Sequence, residues 1–290
     1  MNLVYIINPN SGKRAKTKDI LRLIEDNSTD RFTIYFTEYS GHASILAADS
    51  VKKGVDTVVA VGGDGTINEI ARSLVNTGVV LGIIPAGSGN GFARSLKIPL
   101  NTKKAVQLLN NYSIKTIDAG KLNDKYFFGM CGVGFDALVG ATFQNFGKRG
   151  AMPYFYIGLK EYFKYNFETF TIVMSGTSVD YDPLLISVAN TSQYGNGAVI
   201  APQADPSDGY FDLCIIKKMN AGAALKNISL LFNGKIKQSP YYIHKRVKSL
   251  IIKRGNKKGY YHIDGEPFLS DEDLEISVVP SALRVCVPKI

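Results

Sequence analysis

An aspartate stands between glycines in the stretch VVAVGGDGTINEIA, residues 58–71. Glycines lack a Cβ atom, so main-chain N–H groups can turn toward an anion, and a helix that begins just afterwards adds its positive end. A tight turn between strand and helix would explain the glycines but not the acid, because Asp64 would repel a phosphate. The stretch therefore predicts either Mg²⁺ bound through a nucleotide or a proton acceptor for an attacking hydroxyl.

Two further loops carry small donors. NPNSGK (8–13) offers Asn8 and Ser11, and PAGSGN (85–90) offers Ser88 beside two glycines. Neither has the spacing GxxxxGK[ST] of a Walker A loop, and each alone could be a simple turn. Three such loops on one edge of a sheet are stronger evidence for a phosphate site than any one of them.

Acids also occur in two later turns. HIDGEPF places Asp264 and Glu266 two residues apart, on the same side if the chain is extended, although a hairpin turn with two exposed acids is the simpler alternative. In AVIAPQADPSDGYFDL, Asp205 and Asp208 straddle a turn that could hold a hard cation with the help of main-chain carbonyls. A solvated turn would explain that stretch equally well.

The elements that must position the first three loops alternate in type. Residues 1 to about 117 contain short β-branched runs separated by helix-like stretches near 16–26, 41–53 and 67–76. Such alternation predicts βαβ units, and therefore a parallel sheet with helices on its faces. In sheets of this kind ligands bind at the carboxyl ends of the strands, where the three loops fall.

The pattern changes from about residue 118 onward. Segments such as DPLLISVAN and DGYFDLCIIKK have the period of strands, with helical stretches near 152–165, rich in Tyr and Phe, and near 220–233. We therefore expect a second, mostly antiparallel, β-rich domain.

Composition and charge narrow the class of protein. The chain has 290 residues, 45% of them apolar, and its net charge of +9 implies an anionic partner. It has no apolar run near the ~18 residues that span a bilayer and no signal peptide, so we expect a cytoplasmic protein. Three widely spaced cysteines predict buried, reduced side chains. Residues 235–258 are basic without a single acid, which suggests either a docking face or an ordinary solvated strand face.

GGDGTINE, with NPNSGK before it, PAGSGNGFAR after it and a late DGEP, resembles the diacylglycerol kinase catalytic family, which includes bacterial lipid kinases and sphingoid-base kinases. The resemblance implies an α/β domain that binds ATP and a β-rich domain that holds the lipid. It assigns 1–117 with 280–290 to the first and 118–279 to the second.

The resemblance also implies roles for individual residues. Glu266 would be the general base for a lipid hydroxyl, and Asp64 would act through Mg²⁺ on the phosphates. The family's structural cation site would comprise Asp208 with Asp205 and Tyr210. The nucleotide site would comprise Asn8, Pro9, Asn10, Ser11, Gly12, Thr37, Gly62, Gly63, Asp64, Gly65, Thr66, Ile67, Asn68, Glu69 and Ser88.

Two positions depart from the common family pattern. Gly91 stands where an acid is usual, which looks more like the sphingoid-base kinase branch, and Gly129 stands where an asparagine is frequent. The expected acceptor is therefore a lipid hydroxyl of the diacylglycerol or sphingoid type. The expected partner is a membrane surface, approached transiently from the cytoplasm. Each basic residue near an anionic bilayer contributes about 1 kcal/mol, so Lys253, Arg254 and their neighbours could dock there.

Other classes of function remain as alternatives. NAD kinase shares a GGDG loop but phosphorylates a soluble dinucleotide, and the full ordered set of motifs favours the lipid branch. A non-enzymatic nucleotide- or nucleic-acid-binding module would leave Asp64 and Glu266 without a role, and aromatic residues do not interleave with the basic run as base stacking requires. We expect no nucleic-acid partner, whereas a possible homodimer stays open.

Overall fold

The computed structural model describes residues 2–11, 15–144, 146, 151–255 and 257–289. The chain forms two compact units, Met1–Ala119 with Pro280–Ile290, and Gly120–Val279. Among the described residues, no helix is both long enough and apolar enough to cross a membrane.

The first part of the chain alternates strands and helices, as its sequence pattern predicts. The strands are β1 (Asn2–Ile7), β2 (Arg31–Phe36), β3 (Thr57–Gly62), β4 (Val80–Pro85) and β5 (Tyr112–Leu122). The helices are α1 (Ala15–Asn27), α2 (His42–Lys52), α3 (Asp64–Leu74), α4 (Gly91–Ser95) and α5 (Thr102–Leu108).

The rest of the chain is mainly strand. It contains β6 (Lys125–Phe127), β7 (Met130–Gly134), β8 (Phe170–Met174), β9 (Thr177–Tyr181), β10 (Pro183–Ala189), β11 (Phe211–Lys217), β12 (Tyr242–Val247), β13 (Ser249–Lys253), β14 (Gly259–Ile263), β15 (Glu266–Ser270) and β16 (Leu274–Pro288). Its helices are α6 (Phe135–Gln144), α7 (Ala151–Tyr162) and α8 (Ala221–Phe232), and a short 3₁₀ turn covers Ile236–Gln238.

The sheet of the first unit is parallel. Its strands lie in the order β2, β1, β3, β4, and the last part of β16 pairs with β4 in the parallel sense. Apolar side chains from β1 and β3 pack against α1 and α5, for example Tyr5 and Val59 with Ile24 and Val106. This confirms the predicted parallel α/β unit, which turns the carboxyl ends of β1, β3 and β4 to one edge.

Helix α3 begins one turn earlier than its sequence pattern indicates. We expected it from about residue 67, but it starts at Asp64, because Gly63 is extended (φ −88°, ψ −178°) and acts as the N-cap. The predicted apolar face is present, since Ile67, Ile70 and Leu74 are buried. An acid in the first helical turn interacts favourably with the helix dipole.

The second unit is an antiparallel sandwich, which confirms the predicted β-rich class. One sheet has the order β12, β11, β10, β7, β14, β15, and a second runs from the first part of β16 through β13 and β8 to β9. Their inner faces share one core, which includes Val133, Ile186 and Phe211 from one sheet with Ile172 and Ile252 from the other.

The predicted state of the cysteines is also confirmed. Cys131, Cys214 and Cys286 are buried and free. Burial raises the pKa of the Cys214 thiol to about 12, which makes it a poor nucleophile near neutral pH.

Candidate functional site

The three predicted loops of the first unit follow the carboxyl ends of β1, β3 and β4, and main-chain hydrogen bonds continue the strand pairing into them. The Asn8 N–H donates to the carbonyl of Val61 (3.0 Å), and the Ala86 N–H donates to the carbonyl of Gly62 (2.8 Å). The strand register therefore fixes where each loop begins, so the parallel sheet brings the loops to one edge.

Side chains then tie the first loop to the second. The Asn8 amide donates to the Thr66 hydroxyl (3.0 Å), and the Gly63 N–H donates to the Ser11 hydroxyl (3.3 Å). Within the first loop the Asn10 N–H donates to the side-chain oxygen of Asn8 (3.0 Å). Gly12, which the sequence assigns to the same loop, lies outside the described residues.

The second and third loops touch through their main chains. A Cβ atom added at Gly87 would lie 2.6 Å from the Cα of Gly63, and one added at Gly62 would lie 2.7 Å from the Thr66 side chain. No real Cβ fits at such distances, so these positions must remain glycine for the two loops to approach. The close contact brings the N–H groups of both loops into one small space.

Asn90 fixes the shape of the third loop. This buried residue adopts a left-handed conformation (φ 50°), its side-chain oxygen accepts from the Gly87 N–H (3.1 Å), and its side-chain nitrogen donates to the Gly87 carbonyl (2.9 Å). Because both polar atoms of the amide are used inside the loop, Asn90 holds the loop rather than presenting a donor. Ser88, in contrast, is exposed at the loop tip.

Asp64 lies in the first turn of α3, where it faces the start of α4. Its Oδ1 atom accepts from the Phe92 N–H (3.4 Å), and its Oδ2 atom lies 3.2 Å from the place where a Cβ of Gly89 would be. Burial raises the pKa of the Asp64 carboxyl, against an opposing effect of main-chain hydrogen bonds from Phe92, Asn90 and Gly91. Desolvation of its charge is thus only partly compensated by the protein.

The remaining predicted nucleotide residues divide into rim and interior. Pro9, Asn10, Gly65 and Ser88 are at least partly exposed, whereas Thr37, Thr66, Ile67 and Asn68 are buried. Ile67 is fully buried in the core, so only its main chain could reach a ligand. Glu69 is engaged in holding the loop after β2, because its Oε1 atom accepts from the Gly41 N–H (3.0 Å) and its carbonyl accepts from the Ser44 hydroxyl (2.9 Å).

Asp264 and Glu266 occupy a two-residue hairpin turn between β14 and β15. Asp264 (φ 50°) and Gly265 (φ 82°) are the central residues, and Ile263 pairs with Glu266. Positive φ at both central positions is typical of a type I′ turn, for which Asp-Gly is a preferred sequence. The chain is therefore not extended here, and the two acids point to different surroundings.

The Asp264 carboxylate binds the connection between β6 and β7. Its Oδ2 atom accepts from the Phe128 N–H (3.0 Å), and its Oδ1 atom accepts from the N–H groups of Gly129 (2.7 Å) and Met130 (2.9 Å). The Asp264 N–H donates in turn to the Met130 carbonyl (2.8 Å). Three donors fix this acid in a structural role, and Glu266 is the exposed acid of the pair.

A buried polar cluster of the second unit was not predicted. His262 is 3% exposed and its Nε2 atom lies 3.1 Å from Oδ2 of Asp136, which also accepts from the Tyr194 hydroxyl (2.9 Å). Among the described residues, the His262 Nδ1 atom has no hydrogen-bond partner. The three residues are far apart in sequence, so only a motif around Asp136, in the first turn of α6, could have revealed them.

The turn with the predicted structural cation site is partly satisfied by its own side chains. The Asp205 carboxylate accepts from the N–H and the hydroxyl of Ser207, and Oδ1 of Asp208 accepts from the Tyr210 N–H (3.0 Å). The other oxygen of Asp208 pairs with the Arg246 guanidinium, which lies over the Tyr210 ring. In the described ranges no three His, Cys, Asp or Glu residues cluster as metal ligands. Carboxylate and carbonyl oxygens in one turn suit a hard cation, although Arg246 competes for Asp208.

The basic segment does not form one continuous docking face. Arg254 is only 6% exposed, its N–H donates to Asp273 (2.7 Å) and its Nε atom donates to the Lys257 carbonyl (3.4 Å). The expectation that Arg254 contributes to a membrane-facing surface was therefore wrong. The Lys253 side chain, one residue earlier in β13, is exposed, because neighbouring residues of a strand point to opposite sides.

Two sequence profiles match the two parts of the chain. Residues 2–122 match the diacylglycerol kinase catalytic domain, and residues 129–287 match the YegS C-terminal NAD kinase beta sandwich-like domain. A solved structure described as a putative diacylglycerol kinase from Bacillus anthracis str. Sterne superposes with a TM-score of 0.80 at 20% identity and covers 99% of this chain and 95% of its own. At that identity the likeness shows the fold alone.

Similar proteins with closer sequences carry the same class of name. A diacylglycerol kinase from Mycobacterium tuberculosis (strain ATCC 25618 / H37Rv) is 31% identical over 295 residues, which cover 98% of this chain and 94% of that protein. A probable YegS-like lipid kinase from Pseudomonas syringae pv. syringae (strain B728a) is 28% identical over 284 residues, covering 96% and 91%. The chain therefore belongs to the diacylglycerol kinase catalytic family.

Proposed function

We propose that this protein is an ATP-dependent lipid kinase that transfers the γ-phosphoryl group of ATP to the hydroxyl of a diacylglycerol- or sphingoid-type lipid. Membership of the diacylglycerol kinase catalytic family supports the reaction class. The observation that carries the proposal is the Asp64 carboxylate, held among glycine-rich main chain where three loops meet.

The loops supply what phosphoryl transfer asks of a protein, which is positioning and stabilisation of charge. The first N–H groups of α3 have no acceptor inside the helix and are oriented toward an anion. Gly63 and Gly87 let the loop main chains approach a triphosphate as closely as they approach each other. Asn8 and Thr66 brace the first two loops against one another, so the arrangement exists before the nucleotide binds.

Asp64 fits a divalent cation held jointly with the nucleotide. Mg²⁺ commonly takes one or two carboxylates together with substrate phosphates, and a bound cation would offset the desolvation that raises the pKa of Asp64. When bound, Mg²⁺ would neutralise charge on the transferring phosphates. We propose a separate, structural cation at the turn of Asp205, Asp208 and Tyr210.

Glu266 is proposed as the general base. The lipid hydroxyl oxygen forms a bond to the γ-phosphorus while the bond from that phosphorus to the β,γ-bridging oxygen breaks. ADP leaves, and the hydroxyl proton passes to the Glu266 carboxylate. Glu266 begins β15 directly after a turn that Asp264 fixes through three main-chain donors, so its backbone is well positioned for such a role.

The acceptor is proposed to be presented by a membrane surface that the enzyme visits from the cytoplasm. Diacylglycerols and sphingoid bases both carry a hydroxyl beside long apolar chains and partition into bilayers. Gly91, in place of the usual acid, leads us to keep the sphingoid type among the acceptors.

The proposal is tested by incubating the protein with γ-labelled ATP, Mg²⁺ and a total lipid extract, followed by separation of labelled lipids. We expect a labelled lipid with the wild type and none with Asp64→Ala or Glu266→Ala, while Glu272→Ala, an exposed acid of the same unit, serves as the matched control. NAD in a parallel reaction tests the dinucleotide alternative. A folded wild-type protein that labels no lipid, or that labels NAD instead, would refute the proposal.

A further inference from the structure

Helix α7 carries apolar side chains on its outer surface. Tyr156, Leu159 and Phe163 are 59%, 45% and 72% exposed, and they follow the i, i+3, i+7 spacing of one helical face, with Phe163 in the turn just after the helix. The Phe146 ring, 43% exposed, lies 6.4 Å from the Tyr156 ring. These residues form an aromatic face, by which we mean Phe146, Tyr156, Leu159 and Phe163.

The opposite side of α7 anchors the helix to its unit. Ile157 is buried, and the Tyr162 hydroxyl donates to the Met219 carbonyl (2.6 Å). The Phe135 ring lies 5.8 Å from that of Tyr162 and 5.3 Å from that of Tyr165. Because this inner side already provides the packing, folding of the unit does not require an apolar residue at any position of the aromatic face.

Cations accompany the aromatic face. Lys160 and Lys164 are exposed beside it, and the only acid in the α7 segment is Glu161. The chain just before α7 has the sequence GKRG, which adds Lys148 and Arg149. Helices that lie in a membrane interface combine aromatic and aliphatic residues with lysine or arginine in this manner, and the long lysine side chains reach the headgroups.

We propose that the aromatic face inserts into the interfacial region of an anionic bilayer and holds the enzyme on the membrane that contains its lipid acceptor. The inference rests on the proposed function, since it names the surface through which a lipid kinase would reach its substrate. Tyr and Phe rings suit the boundary between headgroups and acyl chains, and Lys160 and Lys164 suit anionic headgroups.

Charge favours a bilayer over a second copy of the chain. A symmetric dimer through the aromatic face would bring Lys160 and Lys164 close to their own copies, and like charges in close contact are unfavourable. An anionic surface instead attracts both lysines together with the net charge of +9.

The chain offers a matched control surface on another helix of the same unit. On α8, Leu225 and Phe232 are each 52% exposed and seven residues apart, so they share one face of a helix of the same length. We therefore compare Tyr156→Ser/Phe163→Ser with Leu225→Ser/Phe232→Ser. All four side chains are exposed, so both double variants are expected to fold, which circular dichroism and thermal melting verify.

The experiment measures sedimentation of the protein with vesicles of equal parts phosphatidylglycerol and phosphatidylcholine. The α7 double variant should bind at least about tenfold more weakly than the wild type, which corresponds to about 1.4 kcal/mol, and the α8 double variant should stay within about twofold. Equal binding by the wild type and the α7 variant, or an equal loss in both double variants, would overturn the proposal.

Kinase measurements separate this inference from the proposed function. The α7 variant should lose transfer to lipid in vesicles but keep transfer to a short-chain, monomeric form of the same lipid. If no lipid is phosphorylated in either form, the proposed function fails, while the vesicle measurement still decides the inference. A wild-type dimer that the α7 variant dissociates, with unchanged vesicle binding, would instead assign the aromatic face to a second copy and overturn the inference.

Discussion

Replacement of Asp264 tests how the turn that precedes Glu266 is held in place. The three N–H groups that its carboxylate accepts, from Phe128, Gly129 and Met130, have no comparable acceptor once the side chain is cut back to alanine. An unsatisfied buried donor costs about 1–3 kcal/mol, and the lower value applies because the turn is half-buried. Alanine in the left-handed region adds about 1 kcal/mol.

These costs sum to about 4 kcal/mol for Asp264→Ala. Asp264→Asn should cost only about 1 kcal/mol, because asparagine tolerates the left-handed conformation and its remaining oxygen still accepts from Gly129 and Met130. At about 2–4 °C per kcal/mol for a unit of this size, the melting temperature should fall by about 8–16 °C for alanine and about 2–4 °C for asparagine.

Thermal melting followed by circular dichroism measures both changes, with Asp271→Asn as the matched control at an exposed acid. The control should remain within about 0.5 kcal/mol of the wild type. Transfer to lipid, measured well below the melting temperature, should follow the same order, since Glu266 depends on the turn for its position. Equal losses for alanine and asparagine, or a loss with alanine no larger than the control, would refute the role assigned to the three N–H groups.

Three further predictions concern other glycines and acids. Asp64→Asn should abolish transfer yet raise the melting temperature at pH 7, because burial raises the pKa of Asp64 and its charge costs stability above that pKa; the gain should disappear below about pH 4, where the unfolded carboxyl is also protonated. Gly87→Ala should lower kcat/KM by about 100-fold, since carbon atoms normally stay about 3.5–4.0 Å apart and its Cβ would lie 2.6 Å from Gly63, which separates the loops by about 1 Å. Gly140→Ala, with open space on α6, is the control, and similar kinetics for both variants would contradict this. Magnesium should raise the melting temperature of the wild type but not of Asp208→Ala, and an equal rise in both would argue against a cation at that turn.

The class of fold was predictable because it depends on local periodicity. Alternating strand and helix patterns up to about residue 117 indicated the parallel unit, and the period of two beyond it indicated the antiparallel one. The start of α3 was misplaced because an extended Gly63 can act as an N-cap, so the helix includes the acid that the sequence pattern left in a loop.

The site was only partly predictable, because motifs report on nearby residues. The glycine loops and the Asp-Gly turn were visible as short words in the sequence. The bonds from Asp264 to residues 128–130 and the contact of His262 with Asp136 join positions more than a hundred residues apart, which no local pattern encodes. Arg254 was misjudged because a run of basic residues does not say which side chains a strand turns inward.

The acids at these glycine-rich turns differ in how well the protein compensates their charge, and this difference indicates their function. Asp264 accepts three hydrogen bonds of 3.0 Å or less, so its charge is stabilised by the fold itself. At Asp64 the desolvation outweighs the main-chain hydrogen bonds, and its pKa is raised. An acid that the fold leaves undercompensated gains the most from an added cation, because the cation restores the stabilisation that water would have given. Mg²⁺ with nucleotide should therefore stabilise the wild type more than Asp64→Asn, whereas the response of Asp264→Asn should equal that of the wild type.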